Sequence, residues 1–239
     1  MMGIGKLLDR LAALDERHGP LPILLLGLTV LTGMVDAISY LRLGHVFVAN
    51  MTGNVVFLGF AAAGVQDFSI PSSLLAIAAF LVGAYLGGLF GRSQRGHRGY
   101  LFWVATLLET VLAGAALILA QSDAMVAPDA GHYGLIILLG TMMGLQNAVV
   151  RRLAVPDLTT TVLTLTLTGV AADMAPAHNN IPRRLASVAA MFAGAVIGGL
   201  LVLLIDMTVA LAAIFALLAI ISLIAYHGRG SDRAWTAFH

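Results

Sequence analysis

One acidic residue interrupts a long apolar stretch near the start of this 239-residue chain. Asp36 lies in the second half of that stretch, between Gly33-Met-Val and Ala-Ile-Ser39-Tyr40. An ionisable side chain inside a membrane is costly unless it is hydrated, paired or protonated, and it therefore marks a candidate solute or proton site. A carboxylate near the interface, capped by Ser39 and Tyr40, is the alternative interpretation without a function.

Asp36 belongs to an internal repeat. Residues 33–37 (GMVDA) return 111 residues later as residues 144–148 (GLQNA), which places Asn147 at the position of Asp36. Two further blocks keep the same offset: Pro71 with Pro182, and the GAxxGG motif at 83–88 with that at 194–199. Transporter folds are often built from such repeats, with the binding site where the halves meet. Asp in one half and Asn in the other indicate a single site that needs one charge.

A second group of candidates lies in residues 51–54 (MTGN) and their counterpart, 163–166 (LTLT), where the second half has one inserted residue. Gly53 allows the backbone to leave a helix and approach a ligand. Thr52 and Asn54 could bond freed amides or a solute, and Thr164 and Thr166 offer hydroxyl groups in either a helical or an extended segment. Threonines that merely bond their own helix are the alternative.

Two more polar residues lie in apolar segments. Gln146, beside Asn147, is expected to bond neighbouring helices and to complete the site. Glu109 stands mid-segment with Ile220 as its counterpart. It is a candidate for a proton relay, or else a protonated group that bonds a neighbouring helix.

The composition is that of a membrane protein: 59% of the residues are hydrophobic and 10% charged, and the mean hydropathy is +0.94. A net charge of +1 leaves no basic face for nucleic acid, and there is no cysteine for thiol chemistry. No His pair at metal spacing and no GxSxG motif is present, so we expect neither an enzyme nor a cofactor or metal.

Eight apolar segments can be marked, at 21–41, 46–65, 71–91, 100–121, 132–150, 157–172, 184–205 and 208–226. A crossing helix needs about 20 apolar residues, and six segments meet this, whereas polar residues interrupt 46–65 and 157–172 is short. If all eight crossed, Lys and Arg would divide almost evenly between the two sides. If 46–65 and 157–172 re-enter, only Arg42 stays outside, as the positive-inside rule favours.

The sequence therefore predicts an all-α integral membrane protein with six transmembrane helices and two re-entrant or broken segments. Three crossings and one re-entrant segment in each half make the second half start on the opposite face, so residues 21–122 and 132–227 form inverted repeats in one membrane domain. Leu at helical spacing in residues 1–20 predicts an amphipathic cytoplasmic segment. Both termini, including the tail 228–239, are expected in the cytoplasm.

The chain also resembles the YoaK-like family of bacterial inner-membrane proteins. The resemblance rests on residues 33–40 (GMVDAISY), 47–54 (FVANMTGN), 144–152 (GLQNAVVRR) and the threonines at 159–161. This chain departs from the family pattern at Thr164-Leu165-Thr166, where many members have a TGT-like sequence with a flexible glycine. The resemblance implies an integral protein of the bacterial inner membrane and names no substrate.

The first functional hypothesis is a small secondary transporter for a small polar or charged solute, with proton coupling as an option. A passive channel, with a filter formed by the re-entrant segments, is the alternative, and a structural membrane protein without a solute is a third. The expected partners are the lipid bilayer and the small-molecule or ion substrate. The glycine-rich helix faces could also support a homodimer.

The re-entrant topology predicts how introduced cysteines react in intact cells, because the chain has no cysteine of its own. Ser69→Cys is expected to react with an impermeant thiol reagent from outside, and Arg95→Cys only after the membrane is opened. If Ser69→Cys reacts only from the inside, the eight-crossing alternative is correct.

Overall fold

The computed structural model describes residues 17–93, 97–122, 128–161, 163–172, 181–230 and 234–237. Most of the expected amphipathic segment 1–20 lies outside the described residues. The described parts are helical, without a strand. The helices are α1 (Leu21–Arg42), α2 (Met51–Ala62), α3 (Ile70–Ser93), α4 (Arg98–Ala120), α5 (Pro128–Leu153), α6 (Leu163–Ala172), α7 (Ile181–Leu204) and α8 (Met207–Gly228), followed by a 3₁₀ turn, Ala234–Thr236.

Six of these helices, α1, α3, α4, α5, α7 and α8, are long and apolar enough to cross a membrane. The expected all-α membrane protein with six long apolar helices is confirmed. The two doubtful segments supply the short helices α2 and α6, of 12 and 10 residues. At 1.5 Å per residue, such helices reach only about 15–18 Å, whereas the hydrocarbon core is about 30 Å thick.

The most extensive helix contacts join a long helix of one half of the chain to a long helix of the other half. Helix α3 packs on α5 and helix α7 on α1, so the third apolar segment of each half lies against the first segment of the other half. Helix α4 packs on α5 and α8 on α1, while α4 and α8 pack on each other. In the repeat, α1 corresponds to α5, α3 to α7 and α4 to α8. Exchanging the two helices of each such pair gives the same set of contacts.

Close approach at glycines sets these helix pairs. A Cβ on Gly83 would collide with the carbonyl oxygen of Thr141, and a Cβ on Gly194 would collide with that of Val30. Gly33 lies equally tight against α7, and Gly144 against α3. All these contacts are related by the 111-residue offset. The glycine motifs therefore bring helix backbones of the two halves together, as small residues do in membrane proteins.

The contacts also give the helix directions. Helices α3 and α5 are parallel, since Gly83 faces Thr141 and Gly91 faces Arg152. Helices α1 and α7 are parallel by the equivalent contacts. The other three pairs are antiparallel. In α4–α5, Arg98 contacts Leu153 and Leu119 contacts Gly134. The contacts that show the same for α4–α8 are Gly99 with Gly228 and Gly114 with Phe215, and those for α1–α8 are Gly27 with Ile221 and Leu21 with Ala225. Helices α1, α4 and α7 thus run one way and α3, α5 and α8 the other.

Positive charges gather at one end of this bundle, where α1, α4 and α7 begin and α3, α5 and α8 end. The described arginines at that end are Arg17, Arg92, Arg98, Arg151, Arg152, Arg183, Arg184 and Arg229. Arg42 lies at the other end, where its guanidinium group approaches the carbonyl oxygen of Val202. At the same end Asp206 caps α8, and the Thr208 side chain lowers the pKa of that carboxyl group by hydrogen bonding.

The glycine contacts can be tested by adding one methyl group. Gly83→Ala and Gly194→Ala are each expected to destabilise the protein by about 1–3 kcal/mol, because the new Cβ meets a backbone carbonyl. The matched control is Gly88→Ala on the same helix, since a Cβ at Gly88 meets nothing within 4 Å. Thermal unfolding in detergent measures the difference, and equal midpoints for Gly83→Ala and Gly88→Ala would contradict the packing.

Candidate functional site

After α1 the chain turns back into the bundle, and α2 begins beside Asp36. The Ala49 amide donates to Asp36 Oδ1 at 2.9 Å. The next residue, Asn50, caps α2 by accepting a hydrogen bond from the Gly53 amide at 3.3 Å. Because Asp36 lies well before the end of α1, the start of α2 is held inside the bundle. Helix α2 then runs back towards the end at which α3 begins.

Asn54 holds this returning loop in place. Its side chain is fully buried, and its Oδ1 accepts the Phe47 amide at 2.8 Å. Its Nδ2 donates to the Phe47 carbonyl oxygen in return. A backbone outside a helix needs such partners where water is excluded. The prediction placed Asn54 in the central site, whereas its side chain bonds the loop behind that site.

The second half repeats this arrangement with other side chains. Asn147 Oδ1 accepts the Thr161 hydroxyl group, and Asn147 Nδ2 donates to the Met143 carbonyl oxygen at 2.8 Å. Helix α6 begins two residues after Thr161, at Leu163. Asp36 and Asn147 therefore each hold the chain just before a short helix. Because α2 and α6 end towards opposite ends of the bundle, they approach the middle from opposite sides.

A partly open cavity of about 610 Å³ lies where the two short helices begin. Asp36 and Asn147 line it from the long helices. The start of each short helix supplies further lining: Asn50, Met51, Thr52 and Gly53 from the first half, and Thr161, Leu163 and Thr164 from the second. The amide groups at a helix N-terminus carry a partial positive charge, so the cavity combines one carboxylate with two positive helix ends.

The cavity contains five of the predicted site residues: Asp36, Thr52, Gly53, Asn147 and Thr164. Three others, Asn54, Gln146 and Thr166, are buried outside the lining. Helical geometry explains the threonines, since residues 163–172 form α6 rather than an extended segment. Thr164 therefore faces the cavity, while Thr166, two residues on, points to a different side.

Glu109 also lies away from this cavity, buried in α4 at 1% exposure. Gln146 bridges two elements, since its Nε2 donates to Thr32 Oγ1 on α1 at 3.0 Å and to Thr160 Oγ1 at 3.1 Å. The expected interhelical hydrogen bonding of Gln146 is present. No group of three His, Cys, Asp or Glu residues that could hold a metal occurs among the described residues.

Sequence reasoning missed the apolar part of the lining. Phe80 and Met191, again 111 residues apart, face the cavity together with Phe57. Met191 and Asp36 also border a smaller cavity of about 280 Å³ between α1 and α7, next to Phe47. Asp36 is thus reached from two cavities. The repeat offset itself was the available signal for Phe80 and Met191, but both look like ordinary lipid-facing residues in the sequence.

The two returning loops are stabilised in different ways. Aromatic rings surround the first, with Phe57 stacked on Phe47 at 5.5 Å and on Phe68 at 4.7 Å between ring centroids. The second is held by an ion pair between Arg184 and Asp157, 2.8 Å apart. This pair tethers the loop to the start of α7.

Comparison with known proteins agrees with the resemblance noted in the sequence. A curated relative, the UPF0700 transmembrane protein YoaK of Bacillus subtilis (strain 168), is 36% identical over 152 residues. The match covers 63% of this chain and 66% of that relative, slightly less than two thirds of its length. No solved structure matches the chain. The family model described as "Protein of unknown function (DUF1275)" matches residues 24–224, and the chain therefore belongs to this family of membrane proteins.

Proposed function

We propose that this chain is a small secondary transporter that moves a small polar solute together with a proton, with Asp36 as the proton-carrying group. The observation that carries the proposal is the cavity between the starts of α2 and α6, lined by Asp36 and Asn147. Broken or short helices that start at mid-membrane are a common way to build a solute site in transporters.

The two halves are proposed to form inverted repeats around this site. In support, α3 and α7 occupy equivalent positions in the repeat but run in opposite directions, by the contacts given above. The same holds for α1 and α5 and for α4 and α8. In such an arrangement each half can approach the shared site from its own side of the membrane, which is the basis of alternating access.

The charge of the cavity favours a proton-coupled solute over a cation alone. Among the described residues that line the cavity, Asp36 is the one with an ionisable side chain. Each short helix contributes about +0.5 charge at its N-terminus, so an ionised Asp36 leaves the site close to neutral. With Asp36 protonated, the site becomes positive by about one charge. Protonation would therefore strengthen binding of a solute that is anionic or presents hydrogen-bond acceptors.

The orientation in the membrane is part of the same proposal. We place the arginine-rich end in the cytoplasm, since Lys and Arg collect on that side of membrane proteins. The N-terminal segment and the tail then lie in the cytoplasm, and the membrane is the bacterial inner membrane. Arg42 and the aromatic rings around Phe57 lie at the outer side.

A ligand screen by thermal unfolding of the purified protein tests for a bound solute. A solute at 100 times its Kd should raise the free energy of unfolding by about 2.7 kcal/mol. We expect at least one polar metabolite to stabilise the wild type more strongly at acidic than at alkaline pH, because protonation of Asp36 makes the site more positive. In Asp36→Asn, whose amide is neutral at every pH, the stabilisation should no longer depend on pH. Asp67→Asn is the matched control, because it removes an exposed carboxylate outside the cavity.

Solute flux into liposomes then distinguishes a proton-coupled transporter from a passive channel. With a stabilising solute, an inward proton gradient should drive accumulation by the wild type and by Asp67→Asn, but not by Asp36→Asn. Flux that only equilibrates the solute, and is the same with and without the gradient, would identify a passive channel instead. Stabilisation that depends on pH in Asp36→Asn as it does in the wild type would remove Asp36 from the site.

A further inference from the structure

Two buried oxygen atoms on facing helices have no hydrogen-bond partner. One is Oε2 of Glu109 on α4, and the other is Oε1 of Gln146 on α5. Glu109 is 1% exposed and Gln146 is 0% exposed. A buried acceptor without a donor costs about 1–3 kcal/mol, so two such atoms in one helix pair call for an explanation.

The contacts between α4 and α5 place the two side chains at neighbouring levels. Leu108 and Leu145, the residues directly before them, line the same small cavity between these helices. Side chains of a helix lean towards its N-terminus. Because α4 and α5 are antiparallel, Glu109 and Gln146 lean towards each other along the bundle.

Charge chemistry decides how the two atoms can be satisfied. An ionised carboxylate has only acceptors, and the amide oxygen of Gln146 is also an acceptor, so neither can serve the other. One proton on Glu109 changes this, since a neutral carboxyl group has a hydroxyl donor. It also removes the cost of burying an unpaired charge. We infer that Glu109 carries a proton and that its hydroxyl group donates to Gln146 Oε1.

This bond positions the wall of the cavity. Gln146 Nε2 donates to Thr160 Oγ1, and Thr160 has a positive φ of 61°. That conformation is unfavourable for a β-branched residue and persists only when its surroundings hold it. Thr161, the next residue, lines the cavity and bonds Asn147. A protonated Glu109 thus fixes Gln146, which fixes Thr160 and the approach to α6.

Glu109 and Asp36 therefore have different roles. Asp36 borders the cavity and can exchange a proton with it, whereas Glu109 lies outside the lining and keeps its proton as a positioning residue. This inference concerns the folded protein at rest and does not depend on transport, so it can fail or hold independently of the proposed function.

Infrared spectroscopy detects the proton directly, through the C=O stretch of a neutral carboxyl group. The measurement is made on Asp36→Asn protein, which removes the other membrane-embedded acid, at neutral and mildly alkaline pH. We expect a carboxyl band that disappears when Glu109→Gln is added. Adding Gln146→Leu instead should move the band to higher frequency, because the hydroxyl group loses its acceptor. No carboxyl band, or a band that Gln146→Leu leaves in place, overturns the inference.

A double-mutant cycle gives a second readout through the unfolding midpoint. Glu109→Gln keeps a donor for Gln146 and should leave the midpoint near that of the wild type. Glu109→Leu leaves Gln146 Oε1 without a donor and should lower it, whereas the same change made in Gln146→Leu protein, which has no Oε1 to satisfy, should lower the midpoint less. If Glu109→Leu and Glu109→Gln have the same midpoint, Glu109 does not bond Gln146.

Discussion

Backbone amides and carbonyls inside a membrane need hydrogen-bond partners, and this requirement governs the middle of the molecule. Six long helices satisfy their own backbone, but the loops before α2 and α6 leave theirs unpaired inside the bundle. In the first half, Asp36 and Asn54 bond backbone groups of the loop directly. In the second half, Asn147 and Gln146 hold the loop through the hydroxyl groups of Thr161 and Thr160.

The cavity exists because these loops stop short of one another. Glycines bring α3 against α5 and α7 against α1 at backbone distance. The two short helices start in the remaining space between the halves. Their N-terminal residues then line the cavity, and so do Asp36 and Asn147, the residues that hold the loops. The same side chains thus hold the loops and line the proposed binding site.

The difference between the halves gives the site its chemistry. If both positions held Asn, two positive helix ends would face the cavity without a titratable group. If both held Asp, the two carboxylates would repel each other across it. With Asp36 in one half and Asn147 in the other, the cavity has one titratable carboxylate from this pair, as the proposed proton coupling requires. The inferred proton on Glu109, by contrast, stays in the core and donates to Gln146.

The sequence by itself determined the class of protein, the six long apolar helices and the repeat. These follow from composition, segment length and spacing, which are properties of the local chain and of its solvent. It also identified Asp36 and Asn147, since a polar residue in an apolar helix stands out without any knowledge of its neighbours. Both line the cavity in the structure.

Only the tertiary structure decided which of the other polar residues face the cavity. Asn54 and Thr52 look equivalent in the sequence, yet one bonds Phe47 behind the site and the other lines it. Thr164 and Thr166 point to different sides because α6 is helical, so only Thr164 lines the cavity. Gln146 lies outside the lining because it bonds Thr32, 114 residues away in the chain. The physical reason is that a side chain's surroundings are set by helices distant in the chain, whose packing depends on glycine contacts between the two halves.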